Sequence, residues 1–227
     1  MDTYNADSGY SKLFTQYIAK PLSIANFKRY KSSNIARIAG DSIFQVLNFQ
    51  KEAYGGKEFT VNVAIRPLYV PHEVLSLQPG NRLGYFSRGC DRWWNYKTPN
   101  RADMNFQEVN GILIEKVIPM FDVLSSSESL LNEYLNNEFP IELPSSDCWK
   151  KYDLAHINLQ LGNYDESKEL FLNAQKSFME VGFEWALKVA KKCESTLLLF
   201  DKGNESLTEY LKVCVEESKK NLGLIDF

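Results

Sequence analysis

Histidine is scarce in this chain: only His72 and His156 occur, and they stand far apart. That excludes an H-E-x-x-H zinc helix and leaves little for a histidine-centred triad. The cysteines Cys90, Cys148, Cys193 and Cys214 are scattered, with no C-x-x-C pair. Free thiols in a reducing cytoplasm are expected, with neither a disulfide framework nor a zinc site. No apolar run approaches the ~20 residues needed to cross a bilayer, so no membrane association is expected. The opening stretch MDTYNADSGYSKLF lacks a basic n-region and an apolar h-region, and does not read as a secretory signal. Proline is absent after Pro144, and beyond it helical periodicity runs almost without pause.

What is present suits a soluble fold. With 227 residues, 44% hydrophobic and 24% charged, the chain can bury a sizeable core in one large domain or two small ones. Its net charge of −3 hides a split. Residues 1–100 hold 13 Lys+Arg against 7 Asp+Glu, a net of +6; residues 101–227 hold 13 against 22, a net of −9. Such a split suits a basic half meeting phosphates or an acidic half meeting a basic partner. The plainer account is that the two halves dock and partly cancel, since neither carries a dense run of one sign.

Periodicity divides the chain near residue 100. Tyr10, Leu13, Phe14, Tyr17 and Ile18 have amphipathic helical spacing, which Pro21 should stop. Short extended stretches follow at Asn26–Tyr30 and Asn34–Ala39, with turn residues between and after them. Ile43–Phe49 is apolar on both faces, as a partly covered central strand would be. In Phe59–Tyr69, residues Phe59, Val61, Val63, Ile65 and Tyr69 share one face, while Thr60, Asn62 and Arg66 share the other. That describes an antiparallel strand with one face buried, and a polar face that is either a binding surface or the wet side of the sheet. The stretch from Leu77 reads as loop around Pro79-Gly80 and Arg88-Gly89, and Arg92–Tyr96 as an edge strand. Next comes a helix from Phe106 to Leu124 that Pro119 kinks or divides, then a short one opened by a capping box at Ser125–Glu128. Four helices complete the pattern: Cys148–Leu161, Asp165–Val181, Trp185–Phe200 and Glu205–Leu222. The fold class expected is α+β: an antiparallel β-meander of about four or five strands with helices on one face. A C-terminal array of antiparallel α-hairpins follows, giving an α+β domain over 1–140 and a helical region over 145–227 packed on it.

Motifs that carry chemistry are few. No phosphate-cradling glycine loop, Gly-x-Ser-x-Gly elbow or kinase signature occurs. The acid pairs Asp165-Glu166 and Glu216-Glu217 are adjacent on helices and therefore splay apart. No catalytic residue, cofactor site or metal site is assigned; only a deep pocket uniting perturbed acids with His72 would argue for an enzyme. The remaining candidates are Arg66 on the polar sheet face and Arg92, Trp93 and Trp94 on the edge strand. Arginine beside tryptophan anchors protein interfaces and also stacks bases. Alternation sends Trp93 and Trp94 to opposite faces, so at most one serves the core by that face.

Two resemblances add to this. The segments FKRYKSSNIARI, FQVLNFQKEAYGGKEFTVNVAI and RWWNYK resemble the family of domain of unknown function 4304 over roughly residues 10–135. The resemblance implies an α+β fold with an antiparallel sheet and carries no established activity. LAHINLQLGNYDESKELFLNAQKSF resembles a tetratricopeptide repeat, with Ala155, Leu159, Gly162, Tyr164, Phe171 and Ala174 at its packing positions. That implies α-solenoid-like hairpins and, weakly, peptide binding. The function expected is an intracellular, non-catalytic interaction module whose partner is another protein. A basic partner suits the acidic half, and immunity to a secreted toxin is one concrete version. The alternatives are nucleic-acid binding by the basic half, which is disfavoured because no recognition helix is evident, and an enzyme of unrecognised type.

Overall fold

The computed structural model describes residues 4–71, 75–224 and 227. Helix α1 (Ala6–Leu13) is capped by Asn5, whose side chain accepts from the Ser8 amide at 3.0 Å. It widens into a π-helical turn (Phe14–Ala19) and continues as α2 (Lys20–Ser23). The strands are β1 (Lys28–Tyr30), β2 (Asn34–Ala39), β3 (Ile43–Lys51), β4 (Glu58–Pro67), β5 (Gly80–Arg82) and β6 (Trp94–Asn95). A single turn, α3 (Tyr85–Arg88), separates the last two. Then come α4 (Pro99–Ile112), a second π-helical turn (Leu113–Val117), α5 (Ile118–Val123) and α6 (Ser127–Asn136). The chain closes with α7 (Asp147–Gln160), α8 (Tyr164–Val181), α9 (Glu184–Phe200) and α10 (Asn204–Leu222).

Two expectations about helix ends need correction. Pro21 does not stop the first helix, which runs on to Ser23. The wide turn before it moves the Lys20 amide bond back to Thr15, five residues away. That displaces the carbonyl a proline ring would otherwise strike. The same device precedes Pro119, where the Ile118 amide reaches Leu113. The capping position of α6 is Ser126 rather than Ser125, and its side chain accepts from the Ser129 amide at 3.2 Å.

The sheet is antiparallel throughout, in the order β1-β2-β3-β4-β5, with β6 also paired to β4. Among the described residues no strand follows residue 145. β5 lies where a loop was expected, because three residues are too few for alternation to show. One face carries the main core: Leu47, Val61, Val63 and Ile65 meet Phe106, Val109 and Leu113 of the helices. This apolar cluster is continuous from Tyr10 to Leu211, through sheet and helices alike.

The opposite face is not the wet side that alternation allowed. Thr60 and Arg66 are buried there, and Phe44, Val46, Ala64 and Leu68 form a second apolar cluster with Leu222 and Leu224. The end of α10 crosses over it, and the Tyr30 hydroxyl donates to the Leu222 carbonyl at 2.6 Å. The sheet's amides bond sideways to one another. Asn48 donates to Asn34 at 2.7 Å, and Asn62 donates to Asn48 at 2.9 Å.

Candidate functional site

The four residues singled out in the sequence do not form one surface. Trp94 is a core residue, 1% exposed, tilted against Phe59 at 6.1 Å. Trp93 on the other side is half-buried, with the Arg82 guanidinium 5.3 Å from its ring. Arg92 forms a two-pronged pair with Glu108 of α4: Nη2 donates to Oε2 at 2.7 Å and Nη1 to Oε1. Its carbonyl accepts from the Thr60 hydroxyl at 2.9 Å, tying the edge strand to β4. Arg66 lies inside the molecule, 4% exposed. His72 lies outside the described residues.

These pairings bear on the charge split. Arg88 and Arg92 meet Glu108, Arg37 meets Asp122, and Arg66 lies in the field of Asp153. Each joins an arginine of the basic half to an acid of the other half, so the split is partly compensated by pairing between them, while pairs such as Arg82–Asp91 and Lys168–Asp201 stay within one half.

Where Arg66 leads, a different site appears. It lines a cleft of about 550 Å³ between the end of β4, the 76–78 strip, α7 and α9. Helix α7 contributes Trp149, Tyr152 and Asp153; α9 contributes Trp185, Lys188, Val189 and Lys192. On each helix these fall three or four positions apart, so one face of each turns to the cleft. Arg66, Tyr152 and Asp153 are buried and form the floor; Trp185, Lys188 and Lys192 are exposed and form the rim. The Trp149 and Trp185 rings stack with centroids 6.1 Å apart and planes 3° from parallel. Phe178 and Tyr152 brace Trp149 edge-on at 5.0 Å and 5.8 Å.

The floor is electrostatically tense. Arg66 Nη1 donates to the Gln78 carbonyl at 2.9 Å, while Nη2 is buried and has no hydrogen-bond partner among the described residues. Burial lowers the Arg66 pKa, and the charges of Asp153 and Tyr134 oppose that shift. Burial raises the Asp153 carboxyl above its usual range, against the pull of Arg66 and of the Tyr134 hydroxyl, which donates to Oδ2 at 2.7 Å. Sequence reading marked Arg66 but not its setting. Asp153, Trp149 and Trp185 carry no motif and look like ordinary helix positions until the hairpins pack.

Beside the cleft mouth, the junction of α8 and α9 exposes Met179, Val181, Phe183, Trp185 and Leu187. Among the described residues no three or more His, Cys, Asp or Glu converge as metal ligands, and no helix is long and apolar enough to cross a membrane.

No curated protein and no solved structure matches the chain. The resemblance carried by the Asn48–Lys51, Tyr54–Gly56 and Arg92–Trp94 segments is borne out. Residues 18–123, just under half of the chain and the part that holds the whole sheet, match the family described as domain of unknown function (DUF4304).

Proposed function

We propose that the chain is an intracellular, non-catalytic interaction module that binds another protein at the junction of α8 and α9. The observation that carries this reading is the exposure there of Met179, Val181, Phe183, Trp185 and Leu187, with Phe183 66% exposed. Scattered single apolar residues such as Tyr54 need no account, but five exposed within nine residues about one turn offer a contact surface. Glu180 and Glu184, both exposed, flank Phe183, and Glu184 also pairs with Lys188 at 2.9 Å. An apolar anchor rimmed by acid suits a basic partner, and a secreted toxin met by its immunity protein is one such pair. The tetratricopeptide-like spacing in α7 and α8 supports the same class of function.

Affinity capture from the native host, with the wild type and Phe183→Ser side by side, tests this. A stoichiometric basic protein that Phe183→Ser releases is the expected result. Equal capture by both proteins, or a partner released only by substitutions elsewhere, refutes the assignment of this surface.

A further inference from the structure

We propose that the cleft between α7, α9 and the sheet binds a small anionic ligand bearing a planar ring. The ring lies against the Trp149–Trp185 pair, and the anionic group sits on Arg66. This goes beyond the partner-binding reading and does not depend on it.

The volume of about 550 Å³ falls within the range of roughly 300–1,000 Å³ common for small-molecule sites. Its chemistry is two-sided. One wall is aromatic, and Phe178 and Tyr152 hold Trp149 edge-on, so the platform is rigid before anything binds. At the floor stands a guanidinium anchored through Nη1 on the Gln78 carbonyl, with Nη2 facing no acceptor among the described residues. A buried guanidinium N–H left without an acceptor is costly, and an incoming carboxylate or phosphate oxygen removes that cost.

Lys188 and Lys192 stand at the rim, Lys188 paired with Glu184 at 2.9 Å, so the guanidinium at the floor is the group that selects for an anion. Asp153 also lines the cleft, and its Oδ2 accepts from the Tyr134 hydroxyl of α6 at 2.7 Å. The hydroxyls of Ser145 and Ser146 at the rim add donors able to turn toward a bound anion.

Isothermal titration of the full chain tests the proposal. The probes are benzoate and indole-3-acetate, their neutral amides, and the ringless anions acetate and inorganic phosphate. The ring-bearing acids should bind at millimolar concentration or below. The amides and the ringless anions should each bind at least about tenfold more weakly, the loss expected for one charge-assisted hydrogen bond or one stacked ring. Arg66→Gln should abolish the preference for acid over amide. Because Arg66 is buried and that variant can fail to fold, Trp185→Ala serves as the second test. Its side chain is 48% exposed, so the fold should keep its melting temperature while affinity for the ring-bearing acids drops about tenfold. No binding of either acid, equal binding of acid and amide, ringless anions as tight as the acids, or an indifferent Trp185→Ala would each overturn the proposal.

Discussion

His156 is buried in α7, with both ring nitrogens hydrogen-bonded. The Tyr152 carbonyl can only accept, so Nδ1 carries the proton and donates to it at 2.9 Å. Nε2 then accepts from the Tyr210 hydroxyl at 3.0 Å. Burial lowers the His156 pKa from its ordinary 6.5 to about 4, opposed by the Tyr152 carbonyl and the Asp153 charge. The folded protein therefore holds a neutral ring where the unfolded chain takes up a proton. Stability from this group is complete above about pH 6.5 and is lost as pH falls toward 4, by up to about 3 kcal/mol. The raised pKa of the Asp153 and Glu133 carboxyls acts in the opposite sense, so the comparison needs a variant. Urea unfolding of the wild type between pH 7 and pH 5 should show a falling midpoint, with a shallower fall in His156→Gln. Parallel pH profiles for the two proteins would show that His156 is not the group involved.

At the scale of elements, the turn between β2 and β3 is where the sheet grips the helices. The Asp41 amide donates to the Ser125 carbonyl at 3.2 Å, and the Asp41 side chain accepts from the Ser127 amide at 3.0 Å. Gly40 makes this approach feasible: its φ is +46°, and a Cβ there would fall on the Ser125 carbonyl oxygen. Gly40→Ala should destabilise by about 2 kcal/mol or more, combining left-handed strain with the displaced contact. Gly55→Ala, in a turn with φ +82° and no atom near its would-be Cβ, should cost only the strain, about 1 kcal/mol. Denaturant midpoints for the pair separate the two effects; equal losses would mean that the Gly40–Ser125 contact contributes nothing. That contact could not be read from the sequence, where Gly40-Asp41 announces only a turn. The elements were far more legible. Asn34–Ala39 occupies its expected bounds, and the last four helices lie within one residue of theirs, because each carries a periodic apolar face and a glycine or polar stop. What escaped was anything set by long-range packing. The polar side of β4 looked exposed because alternation shows which residues share a face, not what later covers it. Trp94 and Arg92 looked like a surface motif because nothing local reveals Glu108 opposite.

At the scale of the whole molecule, the last described residues pack back on the sheet. Leu222 and Leu224 pack on Phe44 and Ala64 across the sheet's second face, and Phe227 meets the Tyr30 and Phe44 rings edge-on at 5.8 Å and 6.2 Å. On the first face, one apolar cluster passes from sheet to helices without a break. Sheet and helical run thus share both cores, and neither can open without exposing the other's apolar surface. Leu224 is 1% exposed, so Leu224→Ala should cost about 2–4 kcal/mol through lost burial and the cavity it leaves. The cost should be felt far from the substitution. Native-state hydrogen exchange should show β4 amides and α8 amides losing protection by the same factor, because both open only in the global transition. If β4 loses protection while α8 keeps its own, the helices fold independently, and the continuity of the cluster from Tyr10 to Leu211 does not couple them. The cleft makes this coupling matter for function. Its floor comes from β4 and its rim from α9, so a chain whose two parts opened separately would not keep Arg66 beneath the tryptophan pair.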